Sequence, residues 1–362
     1  VKNLKKIAKT LGGILLSILL IGGIYLAYVV LSYHRIEDKR KLEIEVSGDE
    51  KVETKELQIQ ENYKIISYNV GFGAYTPDFS FFMDGGKSSW AKSKESVRQS
   101  ISGAAQTIVE AKADFALLQE VDVGGTRSRH VNEYDLIKDT LGKPYNVFAM
   151  NYDSAFLMYP LLEPHGKNKS GIATVSDYPI LESVRRKLPI STSFSKFLDL
   201  DRCYSVSRLP VANGKDLVLI NVHMSAYGGS PQIRQGQISM LKEEMKQAYE
   251  DGNYVICGGD FNHDLKAKEG EIGDFEWAQP FPKSQLPSYV KFAIDDLSKE
   301  GQRNLWDTAR DTKTPYREGE TWTVTLDGFI YSDNIEVKKY DTINTGFQYS
   351  DHEPVFMEFS LK

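Results

Sequence analysis

Six apolar runs in this sequence each border a short cluster of polar residues. The runs and their polar positions are YKIISYN to Asn69, DFALLQE to Glu120, DLVLINVH to His223, YVICGGDFN with Asp260 and Asn262, TLDGFIY with Asp327, and SDHEPVFMEF with Asp351 and His352. Short apolar runs bounded by polar residues are typical of buried strands. Because side chains at the ends of neighbouring strands lie at one edge of a sheet, the pattern predicts that these polar residues come together.

Two segments have the spacing of apolar residues that predicts a helix. Ser96–Ala111 carries an apolar stripe on one face. Pro231–Tyr249 carries another, and Ser230 in front of it is a suitable N-cap. Some strands alternate with helices, whereas others follow one another as in hairpins. The pattern therefore predicts an α/β fold in which two sheets pack together with helices outside.

Two stretches have neither periodicity. Residues 71–92 combine Gly, Pro and aromatic residues in FGAYTPDFSFFMDGG, which favours an ordered surface loop. Residues 266–297 contain QPFPKSQLP and are typical of an insertion, because Pro interrupts regular structure.

A stretch without charge lies near the N-terminus, from Leu11 to Tyr33. At about 1.5 Å per residue this length spans a bilayer core of about 30 Å, so it predicts a single transmembrane helix. A cleaved signal peptide is the competing interpretation, but it predicts a shorter apolar stretch and a small-residue cleavage site. Basic residues flank both ends, so the positive-inside rule does not decide the orientation. The short tail before the span favours an extracytoplasmic domain in the cell membrane.

The sequence accordingly divides into four parts. These are a basic tail (1–10), a transmembrane anchor (11–33), a juxtamembrane stalk (34–62) and a globular domain (63–362) that carries all six clusters. The segments KLEIEV and ELQIQ within the stalk alternate like strands, so a small edge ribbon is the alternative there.

Charge is unevenly distributed along the chain. Residues 1–41 carry a net charge of +6 and the remainder carries −12. An acidic domain has no bulk attraction for polyanions, which disfavours nonspecific binding of nucleic acid, although a bound cation can offset the field locally. Cys203 and Cys257 both lie in apolar segments and are predicted to be buried thiols. With no CxxC or Cys/His cluster, a zinc site is not expected.

Several of the polar residues have both a structural and a chemical interpretation. Glu120 is either a solvated strand end or a ligand of a hard cation such as Mg²⁺. Asn69 is either a turn former or a residue that holds a phosphate oxygen or a carboxylate of a metal site. Asp260 and Asn262, in GGDFNHD, form either a turn after a strand or a pair that orients an attacking water.

The two histidines at strand ends have a similar pair of interpretations. His223 and His352 are either satisfied structural histidines or donors toward a phosphoryl oxygen that gains charge in the transition state. Asp327 is placed to orient one imidazole and keep it protonated, and Asp351 to serve a metal or the water.

Arg202 is the candidate for direct contact with a phosphate. In LDLDRCYSV it is equally consistent with a bidentate phosphate contact and with an ion pair to Asp199 or Asp201.

Together the clusters SYN, LQE, NVH, GGDFN, LDGF and SDHEP, in this order over residues 63–362, resemble the endonuclease/exonuclease/phosphatase superfamily. The resemblance implies a four-layer α/β/β/α sandwich that cleaves phosphoesters with Mg²⁺ or Mn²⁺. For the metal, it implies Glu120 as the principal ligand with Asn69 beside it, and Asp351 in support of the metal or of His352. For the attacking water, it implies Asp260 and Asn262. For the phosphate, it implies His223 and His352, with Asp327 beside His352, and, by a looser match, Arg202.

One departure from the family pattern concerns His223. Some nuclease members orient this histidine with a Tyr-x-Glu, but the corresponding stretch here is KNKSGIATVSDYPI, with Lys169 and Ser170. This form is similar to sphingomyelinase-type and phosphatase members and to membrane-linked bacterial relatives. The partner that orients His223 is therefore left open.

Three functions remain to be compared. A membrane-anchored, metal-dependent phosphoesterase acting on a lipid-linked or small phosphorylated substrate is favoured, with aromatic residues as candidates for lipid contact, namely Phe79, Phe81, Phe82, Trp90, Tyr152, Phe156 and Tyr159. A surface nuclease is the alternative and predicts a basic groove beginning at Arg127, Arg129 and His130. A binding domain on an inactive scaffold is disfavoured, because all six clusters retain their acids and histidines.

Overall fold

Two seven-stranded sheets form the centre of the computed structural model, which describes residues 2–47, 55–197, 199–226, 230–271, 273, 275, 278–296 and 305–362. The strands of this described part are β1 (Arg40–Lys41), β2 (Ile44–Val46), β3 (Asn62–Asn69), β4 (Phe115–Asp122), β5 (Tyr145–Asp153), β6 (Lys169–Ser176), β7 (Glu182–Lys187), β8 (Cys203–Pro210), β9 (Asp216–His223), β10 (Tyr254–Asp260), β11 (Val290–Phe292), β12 (Ala309–Arg310), β13 (Thr323–Val324), β14 (Asp327–Ser332), β15 (Ile335–Thr342) and β16 (Val355–Leu361). One sheet has the order β1-β7-β8-β9-β10-β14-β11 and the other β15-β16-β3-β4-β6-β5-β2, while β12 and β13 form a small ribbon.

Helices cover the outer faces of both sheets. The α-helices of the described residues are α1 (Lys2–Ser32), α2 (Lys94–Ala111), α3 (Glu133–Leu141), α4 (Pro231–Glu250) and α5 (Ala293–Asp296). The apolar side of α4 packs with β9 and β10, whereas α2 and α3 pack with β3 and β4. The order of layers is therefore helix, sheet, sheet, helix, which confirms the predicted α/β/β/α sandwich.

The layered core explains why the strands read as continuous apolar runs. In β3, Tyr63 and Ile65 point into the core between the sheets, and Ile66 and Tyr68 point into the core under α2. Because successive side chains of a strand alternate between faces, a strand covered on both faces needs apolar residues at nearly every position. Polar residues are then left for the strand ends.

Register brings those ends together. Strands β9 and β10 are parallel, with His223 opposite Asp260, and β10 and β14 are antiparallel, with Asp260 opposite Asp327. In the other sheet β3 and β4 are parallel and end side by side, with Asn69 opposite Gln119. The predicted convergence of polar residues at strand ends thus follows from the pairing of five strands, three in one sheet and two in the other.

The N-terminal part consists of one long helix and two edge strands. The helix α1 contains the predicted span except for its last residue, Tyr33. It is long and apolar enough to cross a bilayer, properties that a signal sequence also has. After it, β1 pairs with β7 in one sheet and β2 with β5 in the other. Residues 40–46 therefore form edge strands on the domain, which is the ribbon alternative to a free stalk; residues 48–54 lie outside the described residues.

The predicted helices are both present. The helix α2 begins two residues before the predicted Ser96. The Ser230 hydroxyl accepts a hydrogen bond from the Ile233 N–H at 3.3 Å, as expected of an N-cap. Cys203 and Cys257 are buried free thiols, as predicted.

The stretch 71–92 is an ordered loop with exposed positions, as predicted, but several of its aromatic residues are buried. Phe72, Tyr75, Phe79 and Phe81 are all buried and contact one another edge to face or tilted. Such a density of aromatic side chains supplies enough apolar area for a loop to bury itself against the domain. The predicted insertion at 266–297 also contributes regular structure, since it contains α5 and the edge strand β11; residues 272, 274, 276, 277 and 297 lie outside the described residues.

Candidate active site

Asp260 lies at the centre of the site because three strands meet there at the same level. It ends β10, between the end of β9 and the start of β14. The preceding residue, Gly259, has a φ of +146°, and a Cβ atom on it would lie 2.0 Å from the carbonyl oxygen of Val222. Only glycine therefore lets β10 approach β9 this closely just before the carboxylate.

Three donors hold the Asp260 carboxylate. Its Oδ1 accepts the Asn262 backbone N–H at 2.8 Å, and its Oδ2 accepts the Asn262 Nδ2 at 3.2 Å and the Asn69 Nδ2 at 3.1 Å. Asn262 has a left-handed φ of +47° and also donates from Nδ2 to the Met224 carbonyl at 2.9 Å. Burial raises the pKa of Asp260 to about 7, although His352 opposes the shift.

His352 and Asp327 form a buried pair beside Asp260. The His352 Nδ1 donates to Asp327 Oδ2 at 2.7 Å, and its Nε2 lies 3.8 Å from Asp260 Oδ2. The Thr308 hydroxyl accepts the Asp327 backbone N–H at 3.0 Å. Burial opposes a charge on His352, but the carboxylates of Asp327 and Asp260 outweigh it, so the pKa of His352 lies well above its usual range. The pair therefore presents an imidazolium to the site.

His223 has the opposite electrostatic environment. Its Nε2 accepts from the Arg202 Nη1 at 2.6 Å and lies 3.5 Å from Asp260 Oδ2. Its Nδ1 is buried and has no hydrogen-bond partner among the described residues. Burial, together with Arg202, holds the pKa of His223 well below its usual range, so this imidazole is neutral. The neighbour that fixes His223 is thus Arg202 rather than a carboxylate.

Arg202 forms one of the two ion pairs that the sequence left open, the one with Asp199. Its Nη2 donates to Asp199 Oδ1 at 3.0 Å, and its Nη1 also donates to the Met224 carbonyl at 2.8 Å. The same guanidinium lines the cavity at the centre of the site. Asp201, the other candidate partner, instead pairs with Arg35 and Arg185.

Glu120 faces the histidines from the second sheet. It has a φ of +55° within a bulge of β4, where the pairing with β6 shifts between Leu118 and Val121. Bulges of this kind re-aim a side chain. The Asn69 Nδ2 donates to Glu120 Oε1 at 3.3 Å, and the Asn69 Oδ1 accepts the Gly71 N–H at 3.0 Å. Asn69 therefore presents its amide nitrogen to the site.

Most of the predicted residues line one cavity of about 100 Å³. The lining includes Glu120, Arg202, His223, Asp260, Asn262, Asp351 and His352. Asn69 and Asp327 stand behind this lining and hold it by the hydrogen bonds given above. Residues separated by more than two hundred positions in the sequence thus face the same space.

A family model described as the endonuclease/exonuclease/phosphatase family matches residues 66–352, which is well over half of the chain. The chain belongs to this family. No curated protein matches the sequence. Members of the endonuclease/exonuclease/phosphatase family are hydrolases that act on phosphoesters.

Solved structures of the family share the fold. An endonuclease/exonuclease/phosphatase from Beutenbergia cavernae has a TM-score of 0.59 and 14% identity, covering 83% of this chain and 72% of its own. A mannosyl-6-phosphatase from Bacteroides thetaiotaomicron has a TM-score of 0.55 and 17% identity, and the match covers 83% of this chain and 100% of that protein's chain. A humanized D. rerio TDP2 has a TM-score of 0.52 and 17% identity, and the match covers 83% of this chain and 99% of that protein's chain.

Family enzymes typically use divalent metals, and the residues of this site fit such an ion. Glu120 and Asp351 offer carboxylate oxygens, the donors that Mg²⁺ prefers. Burial raises the pKa of both groups. For the pKa of Glu120, Arg127 opposes this shift and Asp351 adds to it; for that of Asp351, His352 and Arg310 oppose it. A divalent cation held by Glu120 and Asp351 would offset the repulsion between these two carboxylates.

A second group of possible ligands fits a metal less well. Atoms of Asp260, Asp327 and His352 all lie within 4.8 Å of one another. The 2.7 Å contact between His352 and Asp327, however, already occupies one nitrogen and one carboxylate oxygen. This geometry favours a proton shared by the pair over a bound ion.

The structure adds cavity residues that the sequence did not assign to the site, namely Tyr152, His165 and Arg310. It also moves Arg127 from a predicted groove to the cavity wall, where the guanidinium is buried, bonds Asp122 Oδ1 at 2.7 Å and lies 3.9 Å from the centre of the Phe72 ring. None of these residues stands at a strand end after an apolar run, so the pattern that revealed the other positions gave no signal for them.

Proposed function

We propose that this chain is a membrane-anchored, Mg²⁺-dependent phosphoesterase that acts on a lipid-linked or small phosphorylated substrate. The observation that carries the proposal is that Asp260 lies between an imidazolium, His352, and a neutral imidazole, His223, on a cavity that Glu120 also lines. An acceptor for a water proton and donors for phosphoryl oxygens thereby face one small space.

The roles of the residues follow from their hydrogen-bonding capacity. Asp260 accepts a proton from the attacking water or orients it, and Asn262 holds the same water. His352, kept protonated by Asp327, donates from Nε2 to a phosphoryl oxygen as negative charge develops there. Arg202 provides a second positive charge beside His223 on the same side of the cavity.

Glu120 and Asp351 would hold the metal, and the hydrogen bond from Asn69 would orient Glu120. Mg²⁺ is proposed on the basis of this all-oxygen donor set, and Mn²⁺ accepts the same donors. When bound, the ion supplies positive charge that polarises the phosphate and stabilises the leaving oxygen.

A phosphatase or phosphodiesterase with a small or lipid-linked substrate is favoured over a nuclease. The nuclease alternative predicted a basic groove at Arg127, Arg129 and His130, but Arg127 is paired with Asp122 inside the domain and Arg129 lies over Trp90 and donates to the Ala91 carbonyl. Arg127 therefore belongs to the wall of the catalytic cavity rather than to an external groove, and Arg129 is held against Trp90. One of the solved structures with this fold is a sugar phosphatase by name.

The membrane anchor rests on α1, whose large apolar residues are exposed along most of its length. Exposed leucine and isoleucine side chains in such number are costly in water and are expected to lie in lipid. With the basic residues before the span inside the cell, the catalytic domain would be extracytoplasmic. Anchoring keeps the enzyme at a high effective concentration near membrane substrates.

A substrate panel with the full chain in detergent micelles tests this function. With Mg²⁺ we expect phosphate or alcohol release from lipid or small phosphoesters, and none after chelation of the metal. Supercoiled plasmid DNA in the same buffer is expected to stay intact. Nicking of the plasmid without turnover of the other substrates would reverse the choice of substrate class.

Glu120→Gln is expected to weaken Mg²⁺ binding by about 10- to 100-fold, because it removes the ligand charge but keeps the shape of the side chain. Isothermal titration calorimetry measures the affinity independently of turnover. The matched control is Glu110→Gln on the exposed side of α2. Equal affinities of the two variants would mean that Glu120 does not hold the metal.

A further inference from the structure

A loop that contacts α1 carries an unusual concentration of exposed apolar side chains. Residues 154–162, SAFLMYPLL, contain no charge, and Asp153 and Glu163 flank them. The exposed fractions are 42% for Phe156, 48% for Met158, 60% for Tyr159, 81% for Leu161 and 101% for Leu162. Single exposed apolar residues are ordinary on protein surfaces, but five within seven positions form a patch that needs an apolar partner.

The loop is hydrogen-bonded to the anchor helix. The Tyr25 hydroxyl donates to the Phe156 carbonyl at 3.2 Å and accepts the Met158 N–H at 2.8 Å, and the Tyr28 hydroxyl accepts the Phe156 N–H at 3.1 Å. These hydrogen bonds fix the position of the loop along the axis of α1, at the level of Tyr25 and Tyr28. The position of the loop relative to a bilayer therefore follows from the position of the helix.

The charge pattern of α1 determines how the helix is positioned relative to the bilayer. Lys9 is the last charged residue before the apolar stretch. A hydrocarbon core of about 30 Å needs about 20 residues, so a span that begins directly after Lys9 extends to about Val29. Tyr25 then lies about 6 Å inside the core boundary at 1.5 Å per residue. A loop that is bound to Tyr25 and Tyr28 cannot remain clear of the membrane.

We infer that the loop 154–162 inserts into the bilayer beside α1 and is a second membrane-contacting element of this protein. The inference rests on the proposed anchoring by α1. The partner of the loop is lipid, since the loop offers leucine, methionine and aromatic side chains without a charge. The loop lies at the interface, where Tyr side chains are also favoured, and its backbone is closed by hydrogen bonds in both directions between Leu157 and Gly166 at 3.0 Å.

The base of the loop is attached to the wall of the catalytic cavity. The Trp90 Nε1 donates to the Pro164 carbonyl at 2.6 Å, and the rings of Tyr159 and Phe82 lie 5.9 Å apart. Phe82 in turn lies 5.7 Å from the ring of His165, which lines the cavity. Insertion of the loop would therefore hold the cavity close to the lipid headgroups.

The groove at the end of α1 gives a second connection. Val29 and Tyr33 of the N-terminal segment line it together with Tyr152 and Asp199. Tyr152 and Asp199 also line the catalytic cavity. The groove at the membrane end of the helix and the catalytic cavity thus share two residues, so the cavity adjoins the segment that leaves the membrane.

Fluorescence quenching in vesicles tests the insertion. The full chain is reconstituted in phosphatidylcholine and phosphatidylglycerol vesicles, with Leu162→Cys labelled by an environment-sensitive dye. Leu181→Cys, an exposed leucine just before β7, is the matched control. The native thiols of Cys203 and Cys257 are buried and stay unlabelled in the folded chain.

We expect a blue-shifted emission at position 162 that nitroxide groups on the lipid acyl chains quench, and neither effect at position 181. Equal, unquenched emission from both positions in protein that resists alkaline extraction would overturn the insertion but leave the anchor intact. Release of the protein by alkaline extraction would overturn the anchor, and the insertion with it. Both labelled positions are exposed, so neither label disturbs the core.

Discussion

Asp260→Ala is expected to lower turnover by about 10⁴-fold, at the upper end of what one acid–base group contributes. The carboxylate lies 3.5 Å from the neutral His223 and 3.8 Å from His352, the imidazolium that is proposed to contact the phosphate. No other described carboxylate is held in this position by Asn69 and Asn262. The substitution therefore removes the one group placed to accept a proton from the water.

The fold is expected to tolerate this change. The donors that lose a partner, Asn69 Nδ2 and the Asn262 groups, lie at the cavity, where water can replace the carboxylate. Burial of Asp260, which raises its pKa to about 7, shows that the folded state already disfavours this charge. We expect the free energy of unfolding to change by less than about 2 kcal/mol.

Steady-state kinetics and denaturant unfolding, both with the full chain in detergent, check the two parts of this prediction. Asp139→Asn, on the exposed side of α3, serves as the control for loss of an acid elsewhere. Turnover by the Asp260 variant within tenfold of the parent would assign the water to another residue. A large loss of stability would instead mean that the loss of activity reports on the fold.

His352→Gln is expected to lower turnover by about 10³-fold, because it removes the imidazolium that stabilises charge on the phosphoryl group. Asp327→Asn is expected to have nearly the same effect. The two residues share a 2.7 Å hydrogen bond, and the positive charge on His352 depends on the Asp327 carboxylate. Residues that act as one unit are strongly non-additive, so the double variant should lose little more than either single variant.

A double-mutant cycle on kcat measures this coupling, and thermal unfolding of each variant checks the fold. His130→Gln provides the matched control, since His130 is exposed and its Nδ1 donates to the Gly124 carbonyl at 3.1 Å, away from the catalytic cavity. Additive losses from His352 and Asp327 would contradict the paired role. The two residues would then act on the substrate separately.

Local sequence patterns predicted the main elements well. The runs ending at Asn69, His223 and Asp260 form β3, β9 and β10 with those residues as their last positions. Strands covered on both faces leave a strong signal, because nearly every position must be apolar. The exception was Glu120, predicted at the end of its run, since β4 continues to Asp122 through a bulge. A bulge leaves no mark in a pattern of apolar and polar residues.

The burial of polar and aromatic residues in loops was harder to foresee. Arg127 was predicted in a solvated groove and is instead buried against Asp122. The aromatic residues proposed for lipid contact divide into two sets, because Phe79 and Phe81 are buried whereas Phe156 and Tyr159 are exposed. Loop composition is similar in both cases. Only the path of the chain decides which aromatic residues meet the core.

The amino-acid sequence by itself determined the layers of this protein, the strand ends that carry its acids, amides and histidines, and the apolar N-terminal span. These depend on periodicity and on the cost of burying polar groups, which act over a few residues. Tertiary structure alone decided that Arg202 rather than a carboxylate is hydrogen-bonded to His223, that residues 40–46 join both sheets, and that an uncharged loop lies against α1. These are contacts between distant segments, and their partners are set by strand register and chain path rather than by local pattern.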